Sequence, residues 1–189
     1  MSITDTTVRR RESPARRRVL DAASRLFYAE GIHAVGIDRV IAEAGVAKAT
    51  FYHHFPSKDA LVCVYLEAED ARIRLLMPPA GDTPADRVLA VFDALGEHAC
   101  GPGFRGCAFI NAAAEYPDPH HPVRRVVAVH RAWFHGVLRD LLAAGEHPDA
   151  ARTATMLMML RDGLVVAGGL DGAAEPRALI RTAVSRVIG

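Results

Sequence analysis

Apolar residues recur at helical spacing along almost the whole chain. Val19, Leu20, Ala23, Leu26 and Phe27 form a stripe that follows Ser13-Pro14 and ends near Glu30-Gly31. Serine before the first turn and proline inside it are helix-start signals. A short helix is predicted over "IDRVIAEA", with Ile37, Val40 and Ile41 inward and Gly45 as its stop. "AKATFYHHF" supplies one or two further turns, ended by Pro56, because the residue before proline is pushed out of the helical region. Ser57 is placed to cap a fourth helix that carries Leu61, Val64, Tyr65, Ala68 and Ile73 and stops at Pro78-Pro79.

The segment "MPPAGDTP" concentrates helix-breaking residues and marks the clearest boundary. Beyond it the pattern predicts five helices, at about 84–100, 106–116, 122–144, 148–170 and 176–188. Alternating β-branched runs joined by tight turns are missing, as are internal repeats. The expected fold class is all-α, with about nine helices: an N-terminal three-helix helix-turn-helix domain and a larger helical domain. The expected divisions are a flexible basic tail over 1–14, an N-terminal domain over 15–75 with its motif at 36–55, and a second domain over 76–189.

Composition changes this picture little; its distribution changes it more. Half of the 189 residues are hydrophobic and the net charge is +1, which argues for a packed core and against disorder beyond the ends. Residues 1–60 carry a net +3 and residues 61–189 a net −2. Positive potential therefore lies in the N-terminal third, sharpened by the runs Arg9–Arg11 and Arg16–Arg18. Of 23 basic side chains only Lys48 and Lys58 are lysines, and both fall within "GVAKATFYHHFPSKDALV". No uninterrupted apolar run reaches the roughly 18–20 residues of a membrane span, and the N-terminus lacks the apolar core of a signal peptide, so a cytoplasmic protein is expected. Cys63, Cys100 and Cys107 have no framework spacing and read as reduced thiols.

Histidines are numerous, yet no C-x-x-C or H-E-x-x-H spacing occurs, so neither a metal nor a cofactor is expected. A Gly-rich phosphate loop, a G-x-S-x-G elbow and a recognisable carboxylate pair are likewise missing, which speaks against an enzyme.

The first three helices have the sequence form of a helix-turn-helix, joined through "AGVA" with glycine where φ is expected to be positive. Ile37, Val40, Ile41, Val46 and Phe51 make the inner face. Lys48, Ala49, Thr50, Tyr52 and His53 make an outer face of short or hydrogen-bonding groups that suits a major groove. Lys58, at the start of the next helix, can hold a phosphate as a point charge. "RRRVLDAASRLFYAEGIHAVGIDRVIAEAGVAKATFYHHFPSKDALV" closely resembles the DNA-binding domain of TetR/AcrR-type transcriptional regulators. The resemblance rests on the Ala22/Phe27/Gly31 spacing, the "IAEAGV" turn, "TFYHHF" and "SKDAL", in order and without gaps. It implies that Thr50, Tyr52 and His53 touch phosphate or bases, that Lys48 reads bases, and that Lys58 binds phosphate; Arg39 joins the DNA-facing set. Two departures stand out. Ala47 and Gly36 occupy positions where the family usually has hydroxyl caps, each worth around 1 kcal/mol.

The same resemblance implies a second domain that binds a small-molecule effector and forms a homodimer. Cys107, Asn111 and Glu115 recur at i, i+4, i+8 and are expected to share a stripe. His130 lies between Val126, Val127 and Phe134, with Trp133 beside them and Phe92 and Phe109 as further walls. "TMLMMLRDGLVVAGG" is apolar nearly all round, so it is expected to be covered on every side. Together with the last helix it is expected to build a four-helix interface from Met158, Leu164, Leu179, Ile180, Ala183, Val184 and Val187. The expected partners are double-stranded operator DNA, an unidentified small molecule and a second copy of the chain, with no membrane. The leading expectation is a ligand-responsive regulator, most often a repressor in such a family. An architectural DNA-binding protein without effector, or a small-molecule binder that has lost DNA binding, are the alternatives; an effector cavity counts against the first and DNA binding against the second.

Overall fold

The computed structural model describes residues 13–77, 81–171 and 174–189. The basic run Arg9–Arg11 and the Pro78-Pro79 stop lie outside the described residues. Among those described there are nine helices and no strand: α1 Pro14–Glu30, α2 Ile37–Ala44, α3 Lys48–His54, α4 Lys58–Leu75, α5 Pro84–Ala99, α6 Ala108–Glu115, α7 Pro122–Ala144, α8 Ala150–Leu170 and α9 Ala174–Ile188. The chain divides into two compact units, 1–61 and 62–189.

In the first unit α1, α2 and α3 pack against one another. Their core holds Val19, Ala22, Ala23, Leu26 and Phe27 of α1, Val40 of α2, and Phe51, Phe55 and Leu61, the last three essentially fully buried. Burying a side chain of this size contributes about 1.5–3 kcal/mol. The α2–α3 turn closes on Gly45, whose φ of 60° is left-handed and whose N–H bonds back to Ala42 O. Glycine takes that conformation without the steric cost a Cβ would add. Gly36 and Ala47 are the N-caps of α2 and α3, and neither makes a side-chain cap bond. Ser57 caps α4, its Oγ accepting from Ala60 N at 3.1 Å. Ser13 does not cap α1; its hydroxyl pairs with His54 Nε2 of α3 at 3.2 Å instead.

In the second unit α5, α7, α8 and α9 pack into a bundle, and α6 lies against α7. Thr83 and Asp86 form a reciprocal capping box at the start of α5. The bundle core includes Val88, Val91, Phe92, Phe134, Leu138, Leu157, Met158, Leu164, Ile180 and Val184.

Within one chain α8 is covered on only part of its circumference: Met159, Val166 and Leu170 are 63%, 42% and 79% exposed. The expected interface set is corrected in part. Met158, Leu164, Ile180 and Val184, expected at an interface between chains, are buried in this chain's own core. Bundle packing against α5 and α7 uses those faces, which leaves the opposite faces for solvent or a partner. Leu179 alone of the expected interface set is well exposed, at 59%, while Ala183 and Val187 are half-buried. By length and composition α8 could cross a bilayer, with a mean hydropathy of 1.2 over its most apolar window. It nonetheless packs on α5, α7 and α9 and carries Arg161 and Asp162 at its centre in ion pairs.

Candidate nucleic-acid interface and buried polar cluster

The helix-turn-helix presents Lys48, Ala49, Tyr52 and His53 as exposed side chains on one short helix, with Thr50 half-buried beside them. Phe51 points the other way, into the core, and its ring meets Tyr52 edge-on at 5.2 Å and Phe55 at 5.9 Å. Core aromatics thus fix the helix that carries the exposed set. The cations on this surface are not bare. Lys48 Nζ donates to Asp38 Oδ1 at 3.1 Å, and that hydrogen bond raises the ammonium above its ordinary pKa. Arg39 forks onto the Glu30 carboxylate of α1, Nη2 reaching Oε1 at 2.7 Å. Both pairs are solvent-exposed, so each is a weak, exchangeable contact that a phosphate can replace. Lys58 is half-buried at the first residue of α4.

The second unit holds a polar cluster inside a largely apolar bundle. His130 of α7 is 1% exposed and Arg161 of α8 is 4% exposed. His130 Nδ1 contacts Asp70 Oδ1 at 2.7 Å, and Arg74 Nε donates to Asp70 Oδ2 at 2.6 Å. Burial would raise the Asp70 carboxyl, but the hydrogen bonds from Arg74 and His130 outweigh it and hold the group below its ordinary range. For His130 burial dominates and lowers the imidazole pKa; the bond to Asp70 offsets this in part, and the charge of Arg161 lowers it further. The ring is therefore neutral near pH 7. An ionised carboxylate only accepts, so the single imidazole proton sits on Nδ1 and Nε2 is left as an acceptor.

Arg161 continues the cluster. Its Nη1 donates to Asp162 Oδ1 at 2.9 Å and its Nη2 to Cys107 Sγ at 3.1 Å. Arg131 grips the same Asp162 with two bonds, at 3.0 and 2.6 Å. Burial would raise Asp162, yet the two guanidinium groups keep it ionised and below its ordinary value. Aromatic rings close the surroundings. Phe109 stacks on His130 with centroids 3.6 Å apart and planes within 3°, Trp133 and Phe134 lie 5.7 and 6.5 Å from it, and Arg161 lies over Phe134 at 5.6 Å. Arg74 covers the Trp133 ring at 4.3 Å.

Of the residues expected around an effector, Cys107, Phe109, His130, Trp133 and Phe134 come together here. Phe92 lies in the bundle core with Phe134. Asn111 does not face inward: it is exposed, and its Nδ2 donates to Arg105 O at 2.8 Å, holding the turn before α6. Each i+4 step on a helix drifts by about 40°, and Cys107 is the N-cap rather than a helical residue, so the stripe with Asn111 and Glu115 fans out. Asp70, Arg74, Arg131, Arg161 and Asp162 were not anticipated. The signal for two of them was in view: "LMMLRDGLVV" sets two adjacent charges in an apolar helix. Elsewhere on the unit, an open groove of about 590 Å³ runs along the end of α9 past Arg181, Thr182, Ser185 and Arg186. Among the described residues no group of three His, Cys, Asp or Glu side chains is gathered as a metal site would require.

Comparison with known proteins places these features in context. Residues 19–63 match the bacterial regulatory proteins of the tetR family, and residues 84–184 match the tetracyclin repressor-like C-terminal domain. A crystal structure of a TetR-family transcriptional regulator from Streptomyces coelicolor is 44% identical, with a TM-score of 0.88 over 93% of this chain and 94% of that one. Reduced NemR of Escherichia coli shares the fold, with a TM-score of 0.79 over 93% of this chain and 97% of that one at 23% identity. The HTH-type transcriptional regulator YjdC of Escherichia coli is 27% identical over 149 residues, 77% of this chain and 78% of that protein. The chain belongs to the tetR family of bacterial regulatory proteins and is a DNA-binding transcriptional regulator.

Proposed function

We propose that this regulator is a cytoplasmic homodimeric repressor that leaves its operator when a small molecule enters the second unit. The observation that carries the ligand reading is the buried His130–Arg161 cluster, with two polar atoms that no protein group satisfies, in a largely apolar bundle. Regulators of this family bind operator DNA, act as dimers and respond to small molecules, which supports the assignment. Residues 15–75 take the DNA-binding role and 76–189 the effector and dimer role, with Asp70 and Arg74 of α4 reaching into the effector cluster. In the DNA-binding part, Lys48, Ala49, Thr50, Tyr52 and His53 enter the major groove, while Arg39 and Lys58 hold phosphate. Dimerisation uses the exposed apolar faces of α8 and α9 rather than their buried ones.

The experiment is a titration of the chain onto duplexes from its own upstream region and onto random duplexes, at several salt concentrations. Lys58→Ala is expected to weaken both about equally and to lower the salt slope by about 0.9 per phosphate lost. Lys48→Ala is expected to relax preference at one base position by about tenfold. Indistinguishable variants would refute the separate roles, and equal affinity of the wild type for both duplexes would refute the operator. A reporter behind the same upstream region decides the sign: deletion of the regulator raises expression if it represses.

A further inference from the structure

Two buried polar atoms lack a hydrogen-bond partner among the described residues, and both belong to the same cluster: His130 Nε2 and Arg161 Nε. Their chemistry is complementary. The Nδ1 contact with the Asp70 carboxylate leaves Nε2 as a bare acceptor, whereas Arg161 Nε carries a hydrogen and can only donate. The other two nitrogens of the guanidinium already serve Asp162 and Cys107. A buried donor or acceptor without a protein partner costs free energy, which a bound water or a ligand group able both to accept and to donate would recover.

We infer that the effector of this second unit is an apolar molecule bearing a hydroxyl group, whose oxygen accepts from Arg161 Nε and whose hydrogen goes to His130 Nε2. This deepens the ligand-responsive reading above and rests on it. A hydroxyl is the smallest organic group that accepts and donates through a single atom. A carboxylate accepts only, so it would leave Nε2 facing a lone pair. An ammonium donates only, so it would meet the buried Arg161 charge with no oxygen to offer. The body of the molecule is apolar because the neighbours are rings: Phe109 on His130, Phe134 under Arg161, and Trp133 beside both. Ion pairing does not compete for the hydroxyl, since Asp70 is held by Arg74 and His130, and Asp162 by Arg131 and Arg161.

Trp133 is the only tryptophan in the chain and lies 5.7 Å from His130, so its emission reports the site directly. Three probes of matched shape test the inference on the full chain: p-cresol, 4-methylbenzoate and p-xylene, read by Trp133 emission excited at 295 nm and by calorimetry. The expected result is saturable binding of p-cresol at least about tenfold tighter than either of the others, the difference of roughly one good hydrogen bond. Equal affinity for p-xylene would overturn it in favour of a purely apolar site, tighter 4-methylbenzoate in favour of an anion site, and no binding of p-cresol at millimolar concentration would overturn it outright. In His130→Phe, which keeps a ring against Phe109, the preference for p-cresol over p-xylene should vanish while p-xylene binding persists. Should that variant not fold, Arg161→Met serves instead, because Arg131 remains on Asp162; an unchanged preference in the folded variant would overturn the inference. Binding to operator duplex is measured on the same preparation. A chain that binds duplex but not p-cresol refutes only the ligand class, and one that binds p-cresol but no duplex refutes only the regulator reading.

Discussion

A charge placed on the exposed face of α8 should separate the dimer without unfolding the chain, and a truncation on the buried face of α9 should do the reverse. Met159, Val166 and Leu170 of α8 and Leu179 of α9 are 63%, 42%, 79% and 59% exposed. Full burial of such side chains is worth about 1.5–3 kcal/mol each. Scaled by the exposed fractions, the four supply about 5 kcal/mol per chain. A two-fold interface presents the same patch twice, so the pair gains about 10 kcal/mol. Association costs about 4–15 kcal/mol in lost freedom, so the proposed dimer would depend on this patch. Met159→Glu removes roughly 1–2 kcal/mol of burial from each chain, which alone raises the dissociation constant about 100-fold. Desolvating the carboxylate adds to that. Sedimentation velocity at low micromolar concentration should show a folded monomer with an unchanged helical spectrum. Val184 is fully buried in the bundle, so Val184→Ala should cost about 1–3 kcal/mol of unfolding free energy and leave the dimer intact. A dimer that survives Met159→Glu at 1 µM, or a folded monomer from Val184→Ala, would refute the placement of the interface.

The turn and the buried histidine give two further tests. Gly45 sits at φ 60°, and the position a Cβ would take there has no neighbour within 4 Å. Gly45→Ala therefore costs backbone strain alone, about 1 kcal/mol in urea unfolding, and Gly45→Asn should recover most of it. His130 has its pKa lowered from 6.5 by burial, so the unfolded chain binds the proton first as the pH falls. Stability should therefore be full above about pH 6.5 and decline below it. The carboxyls of Asp70 and Asp162, held below 3.8, should add a second loss as the pH falls past about 4. Melting temperatures from about pH 2 to 8 should show both steps, and His130→Phe should reduce the first and, by removing a hydrogen bond to Asp70, part of the second.

Sequence carried the fold where punctuation was strong. Gly45 closes α2, and Pro122 and Gly145 bracket α7, so their bounds could be read directly. At α9 the helix starts at Ala174, two residues before the expected Pro176, because proline is tolerated within a first turn where its missing N–H is not needed. Faces were harder than bounds. The helix α8 is apolar nearly all round, so it has no periodic contrast to say which side is buried; only its packing on α5, α7 and α9 decides, and that is why Met158, expected at an interface, lies in the core while its neighbour Met159 is exposed. On α3 Phe51 is the one large side chain without a polar group, so Phe51 inward and Tyr52 outward were legible at once. The contacts of Lys48 with Asp38 and of Arg39 with Glu30 join residues 10 and 9 positions apart across two helices, a separation that one-helix spacing rules do not reach.

The buried cluster poses the last physical question, which is why it exists. Replacing a buried ion pair by apolar side chains of similar volume is often neutral or stabilising, so Arg161, Asp162 and Arg131 are not what a bundle needs for stability. The bundle has apolar residues on every neighbouring turn of α8: Leu157, Met158, Leu164 and Val165 are all buried. A methionine at 161 would pack among them, leaving Asp162 to Arg131 and freeing Cys107. Keeping the guanidinium there leaves one donor unsatisfied, and keeping imidazole at 130 leaves one acceptor unsatisfied, each a cost of about 1–3 kcal/mol. Two opposite deficits in one cluster, with the only tryptophan and two phenylalanines around them, describe a site whose stability rises when a donor-acceptor group arrives. Occupancy by such a ligand at 100 times its dissociation constant adds about 2.7 kcal/mol to the folded chain. Arg161→Met should therefore raise the unfolding free energy of the ligand-free chain, or leave it unchanged, while abolishing the stabilisation by p-cresol. Loss of several kcal/mol in the ligand-free variant would show that Arg161 serves the fold, and that the cluster is structural.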